Sequence, residues 1–290
     1  MLILQRMYCL VSHKSLRSLF IPNSRNNKVL NFKEIISMRT DSMPLLYHSL
    51  TTILDVLEKP ENKNTDGVKE LLDIYEKVKD ENSKYKAAGE VKTHPLIVLE
   101  GLDGSGKTTV GNRFAKKIGA KKWKTPPESI SHIRHLFDDN NNLRTAYYSL
   151  GNYIAALEVE MLLKNCPVVM DRFWHSTAAY AIAQSIQDKG DMYVLPAKGD
   201  KIYCWPEDLF KPDIVLLLNV SEEVRLQRQS RRTNVTTQEE LLNSCSEFRK
   251  QVIEAYQNMY NPGVILINGD LSFGAVLGQL QKETSSLLKK

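Results

Sequence analysis

The chain has 290 residues, of which 42% are apolar and 25% charged, and a net charge of +5. This composition is ordinary for a globular protein, and the absence of any apolar run near 20 residues argues against membrane-spanning segments. Four scattered cysteines form no C-x-x-C pair, which argues against a structural zinc site or a disulfide framework. The length allows one sizeable domain plus an extension.

The excess positive charge lies at the N-terminus, where residues 1–33 contain no acid and six basic residues: Arg6, Lys14, Arg17, Arg25, Lys28 and Lys33. Removing these from the 39 basic residues leaves 33 against 34 acidic residues, so the charge does not indicate a nucleic-acid-binding face. A basic, acid-free and intermittently apolar segment is typical of an organelle transit peptide. We predict that residues 1–40 are a mitochondrial (matrix) transit peptide, with a disordered basic tail as the alternative.

The next segment has helical apolar spacing over residues 44–58 and 67–82, and residues 83–94 have the composition of a linker. These features predict a helical extension and linker over residues 41–94. The extension carries no motif, and we expect a structural role for it.

From residue 95 onward, short apolar runs alternate with helical patterns, which predicts a parallel sheet covered on both faces. Strands are predicted over 95–100, 121–124, 167–171, 213–220 and 263–268. Helices are predicted over 110–119, 129–137, 142–164 and 175–187, after Ser221, up to about Tyr260, and over 272–288. Residues 95–290 are therefore expected to form one three-layer α/β/α domain.

Residues 98–114, VLEGLDGSGKTTVGNRF, contain a glycine-rich pattern with the spacing of a phosphate-binding P-loop. Glycines accept the positive φ angles that turn loop amides inward, Lys107 would reach the β- and γ-phosphates, and the Thr108 hydroxyl is placed to ligate Mg²⁺. A chance glycine-rich turn is the alternative, but the flanking strand and helix favour the P-loop. The predicted ATP-binding residues are Gly101, Gly104, Ser105, Gly106, Lys107, Thr108 and Thr109.

Asp171 and Arg172 follow the predicted strand 167–171, at the sheet edge where ligands of α/β proteins bind. An acid there can hold Mg²⁺ in a P-loop protein, and Arg172 can grip a second phosphate. A helix N-cap is the alternative for Asp171. The aromatic residues around them are either core or partners for a nucleobase: Tyr147, Tyr148, Tyr153, Phe173, Trp174 and Tyr180.

The run from Arg225 to Arg232 is the densest basic stretch beyond the N-terminus. It indicates either a solvated helix end or a mobile lid whose arginines stabilise a transferring phosphoryl group. A GTPase switch would need an Asn-Lys-x-Asp motif, and the sequence has none.

Glu100–Thr109 (EGLDGSGKTT) together with Asp171–Ser176 (DRFWHS) resembles the thymidylate kinase family of P-loop nucleoside monophosphate kinases. The strings KTPPES, YYSLGNY, DRFWHSTAAYAIA and WPEDLFKPDIVLLLNVS resemble its mitochondrial UMP–CMP kinase branch. The resemblance covers about residues 95–270. It implies a P-loop NTPase fold of the nucleoside monophosphate kinase type, with ATP and Mg²⁺ as cofactors.

The resemblance also implies roles for individual residues. Asp103 would meet the acceptor sugar, Asp171 would support the metal with Thr108, and Arg172 would bind the acceptor monophosphate. Ser176 and Tyr180 would line the acceptor pocket. Arg228 would belong to the lid and stack on adenine. The implied catalytic residues are Lys107, Arg172, Arg231 and Arg232, the last two as lid arginines.

The sequence departs from thymidylate kinases at three places. Gly104-Ser105 stands where some of those enzymes carry a loop arginine. Thr125-Pro126-Pro127 replaces a Phe-Pro-Arg-like turn, which leaves Lys124 and Arg134 as candidates for phosphate contact. Asn152-Tyr153 replaces an Asn-Arg pair near the base, which argues against dTMP. The predicted acceptor-binding residues are Asp103, Lys124, Arg134, Tyr148, Asn152, Tyr153, Arg172, Ser176 and Tyr180.

We therefore expect ATP-dependent phosphorylation of CMP, dCMP, UMP or dUMP in mitochondria. The expected partners are small-molecule nucleotides, with no nucleic acid and no membrane, and the resemblance favours a homodimer. A thymidylate kinase and a nucleotide-binding regulator without turnover remain alternatives.

Overall fold

The structure is a computed structural model that describes residues 46–87, 92–189, 194–229, 242 and 244–289. The predicted transit peptide over residues 1–40 lies outside the described residues. Among the helices that are described, none is both long and apolar enough to cross a membrane.

The centre of the fold is one parallel five-stranded sheet with the strand order β2-β3-β1-β4-β5. Its strands are β1 (Leu96–Glu100), β2 (Lys121–Lys124), β3 (Val168–Asp171), β4 (Ile214–Asn219) and β5 (Ile265–Asn268). All five were predicted. β1 lies between β3 and β4, with Leu99 opposite both Asp171 and Leu216. The carboxyl ends of these three strands therefore meet at one edge, where the site forms.

Helices cover both faces of the sheet: α4 (Lys107–Ile118), α5 (Glu128–Ser131), α6 (Asn141–Leu162), α7 (Trp174–Lys189), α8 (Glu222–Gln229), α9 (Ser246–Asn258) and α10 (Phe273–Thr284). The helix predicted over 129–137 is instead α5 followed by a 3₁₀ turn, Arg134–Phe137. Ile130, Ile133 and Phe137 suggested one helix by their spacing, but they are buried equally well by two short turns.

The alternation of side chains along the central strands produces two apolar layers. Val98 and Met170 point into the larger layer, which includes the buried residues of α6, α7 and α9. Leu99 and Val169 point into the smaller one, beneath α4 and α10. The central strands are apolar on both faces for this reason, as the sequence predicted.

The N-terminal extension consists of α1 (Leu50–Leu57), α2 (Pro60–Lys63) and α3 (Val68–Ala87). Its buried residues, among them Ile53, Leu71 and Tyr75, share the larger apolar layer with α6. The prediction of a linker from residue 83 is wrong for residues 83–87, which continue α3. Asn82 Nδ2 donates to the Leu157 carbonyl (2.9 Å) and holds this end of the helix against α6.

Candidate active site

The loop after β1 has the backbone that the glycine spacing predicts. Gly101, Gly104 and Gly106 have φ angles of 144°, 87° and 93°, a region that other residues rarely adopt. A Cβ atom at Gly101 would lie 2.6 Å from the Leu218 carbonyl oxygen of β4, so a larger residue would collide with the sheet. The loop leads directly into α4, whose N-terminal amides favour an anion.

Lys107, the first residue of α4, folds over this loop. Its Nζ donates to the carbonyl oxygens of Gly101 and Leu102, at 2.8 Å each. Burial, followed by the nearby charge of Arg172, lowers the pKa of Lys107 to about 8. A bound phosphate would bring negative charge to the ammonium and raise this pKa again.

Thr108 and Asp171 are joined by a hydrogen bond. Thr108 Oγ1 donates to Asp171 Oδ2 (2.8 Å), and Lys122 Nζ lies 3.7 Å from the same carboxylate oxygen. The two residues predicted at the metal, one on α4 and one at the end of β3, therefore present adjacent oxygen atoms. Hydroxyl and carboxylate oxygens are the ligands that Mg²⁺ prefers, so this pair fits that cation.

Arg172 lies at the end of β3 in the left-handed region, with φ 66°, which is uncommon for a residue other than glycine. Its guanidinium donates to Asp103 Oδ1 (2.6 Å) and to Ser176 Oγ (2.9 Å), and lies 5.5 Å from the centre of the Tyr180 ring. The Tyr180 hydroxyl donates to the other Asp103 oxygen at 3.1 Å. Asp103, Arg172 and Tyr180 thus form one cluster beside the loop.

The charges in this cluster stabilise one another. Burial alone would raise the pKa of Asp103, but the charges of Arg172 and Lys107 outweigh it and hold that pKa below its ordinary value. Burial would lower the pKa of Arg172, and Asp103 more than compensates. At neutral pH the site therefore contains a fixed ion pair next to the Lys107 ammonium.

The sequence analysis did not assign Glu100 and Tyr256. Both form hydrogen bonds with residues next to Arg172 and so support its position. Glu100 Oε1 accepts from the backbone amides of Phe173 and Ser176 at the start of α7, at 2.9 and 3.2 Å. Its Oε2 accepts from Ser176 Oγ (2.5 Å) and from the Tyr256 hydroxyl (3.3 Å). Burial raises the pKa of Glu100. A carboxylate closing the apolar run of β1 was the available sequence signal.

Ser176 was predicted to line the acceptor pocket, and its neighbours suggest a different task. Its Oγ contacts Glu100, the Tyr256 hydroxyl at 2.8 Å and Arg172. The side chain is 8% exposed, and these three contacts leave it little capacity for a ligand. Ser176 thus accepts a hydrogen bond from Arg172, and its place in the acceptor pocket stays a prediction.

Asn152 and Tyr153 were both predicted beside the base, but they face different neighbours. The buried Asn152 donates from Nδ2 to Thr177 Oγ1 of α7 (3.0 Å), and its Oδ1 has no hydrogen-bond partner in the part of the chain that the structure describes. The Tyr153 hydroxyl donates to Asp208 Oδ1 (2.5 Å). Consecutive helical residues point about 100° apart, and in this structure the two side chains contact different elements. Their place beside the base stays a prediction. Thr177 was missed because it carries no motif of its own.

The remaining acceptor candidates are Lys124 at the end of β2, Arg134 in the 3₁₀ turn and Tyr148 on α6. Arg134 donates from Nε to the Tyr148 hydroxyl (2.8 Å) and pairs with Asp138 (3.0 Å). Lys124 pairs with Glu128, and both of these side chains are largely exposed. Within the described part of the chain, neither Lys124 nor Arg134 contacts the Asp103–Arg172 pair by a hydrogen bond or an ion pair. A bound acceptor would therefore have to span the distance between these two side chains and the Asp103–Arg172 pair.

The described arginines of the basic run lie against the phosphate-binding loop. Arg228 donates to the carbonyl oxygens of Ser105 (2.8 Å) and Gly269 (2.9 Å). Arg225 is fully buried, binds Glu222 and donates to the Asp103 carbonyl (3.3 Å). Arg225 and Arg228 thus stabilise the phosphate-binding loop through hydrogen bonds to its carbonyl oxygens. Adenine stacking by Arg228 stays a prediction. Arg231 and Arg232 lie outside the described residues.

Comparisons with known proteins agree with this arrangement. The model of the thymidylate kinase family matches residues 99–277. Human "UMP-CMP kinase 2, mitochondrial" is 45% identical over 184 residues, which cover 63% of this chain. The chain spans only 40% of the length of that relative. A probable thymidylate kinase of Methanococcus maripaludis is 29% identical over 57% of this chain and 77% of its own length.

A solved structure shares the fold: thymidylate kinase from Candida albicans, with a TM-score of 0.50 and 20% identity, covering 67% of this chain and 92% of the other. The family match spans more than half of the chain and includes the loop, Lys107, Asp171 and Arg172. The chain therefore belongs to the thymidylate kinase family, the P-loop nucleoside monophosphate kinases.

Proposed function

We propose that the chain transfers the γ-phosphoryl group of ATP to a pyrimidine nucleoside monophosphate: CMP, dCMP, UMP or dUMP. The observation that carries this proposal is the presence of two cations close to Asp103. Lys107 lies over the phosphate-binding loop, Arg172 is bonded to Asp103 at 2.6 Å, and the charges of both lower the pKa of that carboxyl. A donor phosphate and an acceptor phosphate can thus be held side by side.

The donor half would work through backbone and charge. The inward amides of residues 104–107 would cradle the ATP phosphates, and Lys107 would leave the Gly101 and Leu102 carbonyls to follow them. Thr108 and Asp171 would hold Mg²⁺, which supplies further positive charge at the phosphate oxygens when bound. Each group lowers the barrier by neutralising charge that is spread over the transferring phosphoryl group.

The acceptor half would position the nucleophile. Arg172 would bind the acceptor phosphate in a fork geometry, and an oxygen of that phosphate would attack the γ-phosphorus of ATP as the bond to the β-phosphate oxygen breaks. No covalent intermediate is needed. Because Asp103 remains ionised, it can accept a hydrogen bond from the acceptor sugar while it orients Arg172.

Asn152 is the candidate for a hydrogen bond to the base. It is fully buried, its Nδ2 is shared with Thr177 of α7, and its Oδ1 has no hydrogen-bond partner among the described residues. An amide offers both a donor and an acceptor, so it can match the edge of either uracil or cytosine. The printed name of the human relative supports the same substrates. The family match and the archaeal relative favour dTMP as the second candidate acceptor.

An ADP-release assay with ATP, Mg²⁺ and each of dCMP, CMP, dUMP, UMP and dTMP tests the proposal. Turnover with cytidine or uridine nucleotides well above that with dTMP is the expected result. Preference for dTMP would replace the proposed substrate but keep the mechanism. ADP release that no acceptor stimulates, or none at all, would refute the acceptor site and leave an ATPase or a nucleotide-binding regulator.

We also propose a mitochondrial matrix location and a homodimer. The basic, acid-free residues 1–33 and the name of the human relative support the location, and the family resemblance supports the dimer. Import of the full chain into isolated mitochondria, with cleavage near residue 40, tests the location. Light scattering on the purified chain tests the oligomeric state, and a monomer mass would overturn the dimer.

A further inference from the structure

The N-terminal helices contact both helices that carry the proposed acceptor site. The ring of His48 lies 5.6 Å from the ring of Trp174, the first residue of α7 and two positions after Arg172. The backbone amide of Leu50, the first residue of α1, donates to Asp208 Oδ2 at 2.8 Å. The start of the extension is thus tied to α7 and to the segment before β4.

Asp208 also binds α6, through its other oxygen. Tyr153 donates its hydroxyl to Asp208 Oδ1 at 2.5 Å and is itself only 6% exposed. Asn152, the neighbour of Tyr153, reaches Thr177 on α7. The Asp208 carboxylate therefore joins the first turn of α1 to the turn of α6 that carries Asn152, the residue proposed to contact the base.

This geometry resists rotation of α6 about its own axis. Tyr153 points about 100° around the helix from Asn152, so a bond that fixes the tip of Tyr153 also fixes the direction of Asn152. The ATP phosphates would bind the β1–α4 loop, which makes no contact with Tyr153 among the described hydrogen bonds. A change at Tyr153 should therefore affect the acceptor and spare the donor.

We propose that Tyr153 and Asp208 are positioning residues through which the N-terminal helices hold Asn152 in line with the acceptor. The extension is then part of the acceptor site, although it touches no substrate. This inference rests on the proposed function in one respect: that the acceptor base lies between α6 and α7.

The test compares Tyr153→Phe, Asp208→Ala and their double mutant with a matched control, Tyr47→Phe. Tyr47 is a buried tyrosine of the same N-terminal segment, and its hydroxyl has no hydrogen-bond partner within residues 46–87 or the other described ranges. We expect the first two variants to raise KM for the acceptor by roughly three- to tenfold, the effect of one lost hydrogen bond, with KM for ATP unchanged. The double mutant should be no worse than the more affected single variant.

Asp208→Asn provides a rescue arm, because it keeps a carbonyl oxygen that can accept from Tyr153; its acceptor KM should lie between those of wild type and Asp208→Ala. Tyr47→Phe should match wild type throughout. The proposal is overturned if acceptor KM is unchanged, or if both KM values rise together with a lower thermal midpoint. The assays use whichever acceptor wild type prefers, so preference for dTMP refutes the proposed substrate without touching this test.

Discussion

The donor and acceptor halves of the site are built in different ways. The proposed donor half is mostly one continuous segment, made of β1, the loop over residues 101–106 and the first turn of α4, to which β3 adds Asp171. The acceptor half is assembled from side chains of distant elements, with Asp103, Asn152, Arg172 and Tyr256 each on a different one. On the proposed function, the phosphates of ATP would be recognised mainly by one local segment, whereas the acceptor nucleoside would be recognised by side chains that only the tertiary structure brings together.

The largest effect should come from Lys107→Ala, which breaks the donor half. Removing the ammonium leaves the transferring phosphoryl group without its nearest fixed charge, and we expect kcat to fall about 10³-fold or more. The fold should survive, since the hydrogen bonds of the Lys107 ammonium among the described residues go to two loop carbonyls and to Ser105 of the same loop. Lys117→Ala, on the exposed face of the same helix, is the control and should keep wild-type kcat. Near-normal turnover of Lys107→Ala would remove the loop from the mechanism.

Arg172→Lys should damage the acceptor half selectively. A lysine keeps the charge but cannot bind Asp103 and Ser176 at once, as the Arg172 fork does at 2.6 and 2.9 Å. We expect kcat/KM for the acceptor to fall about 10²-fold, the range seen when a positioning contact is lost, while KM for ATP changes little. Arg113→Lys on the exposed side of α4 serves as control. Equal losses for ATP and acceptor would mean that the two halves are not separable.

The donor and acceptor halves also differ in how much of their structure could be predicted from the sequence. All five strands and the loop were predicted, because apolar runs and a glycine spacing are local signals that one segment carries complete. The linker predicted from residue 83 was wrong for residues 83–87, because this end of α3 is held by Leu157, a partner far along the chain. The contacts of Ser176 with Glu100 and of Tyr153 with Asp208 could not be predicted for the same reason. Tyr256 became identifiable only when folding placed it beside Arg172, whereas Glu100 had one sequence signal, a carboxylate at the end of the apolar run of β1.

The pH dependence of ATP binding tests the role of the Lys107 charge in the proposed donor half. The pKa of Lys107 is lowered to about 8 in the free protein, and only the ammonium attracts phosphate. Below pH 8 Lys107 is charged and kcat/KM for ATP should be flat. Above pH 8 it should fall, approaching about tenfold per pH unit, since each binding event must first restore the proton.

Calorimetry of ATP binding at pH 8 in two buffers of different ionisation enthalpy measures the same proton directly. About half a proton should be taken up per ATP, because a group at its pKa is half protonated. Lys107→Ala provides the control, with this uptake abolished. A profile that stays level to pH 9.5, with no proton uptake at pH 8, would place the Lys107 pKa well above 8 and contradict the burial that lowers it.

Tyr256→Phe should give the smallest effect. In the wild-type protein, Tyr256 links the two proposed halves of the site. Its hydroxyl lies 2.8 Å from Ser176 Oγ and 3.3 Å from Glu100, and it also accepts from Arg172 at 3.5 Å. Loss of this hydroxyl leaves Ser176 and Glu100, which support Arg172, less restrained. Acceptor kcat/KM should therefore fall about three- to tenfold, and the free energy of unfolding should fall by about 1–2 kcal/mol. Tyr85→Phe, which deletes a buried hydroxyl that no described residue binds, should change neither quantity.

Tyr256 lies on α9, outside the motifs of both halves, so the result decides how far the acceptor half extends. A stability loss with unchanged acceptor kinetics would confine the hydroxyl to folding and leave Glu100 and Ser176 as sufficient support for Arg172. A kinetic loss that appears for the acceptor and not for ATP would extend the acceptor half to α9. The local donor site and the dispersed acceptor site would then differ in size as well as in construction.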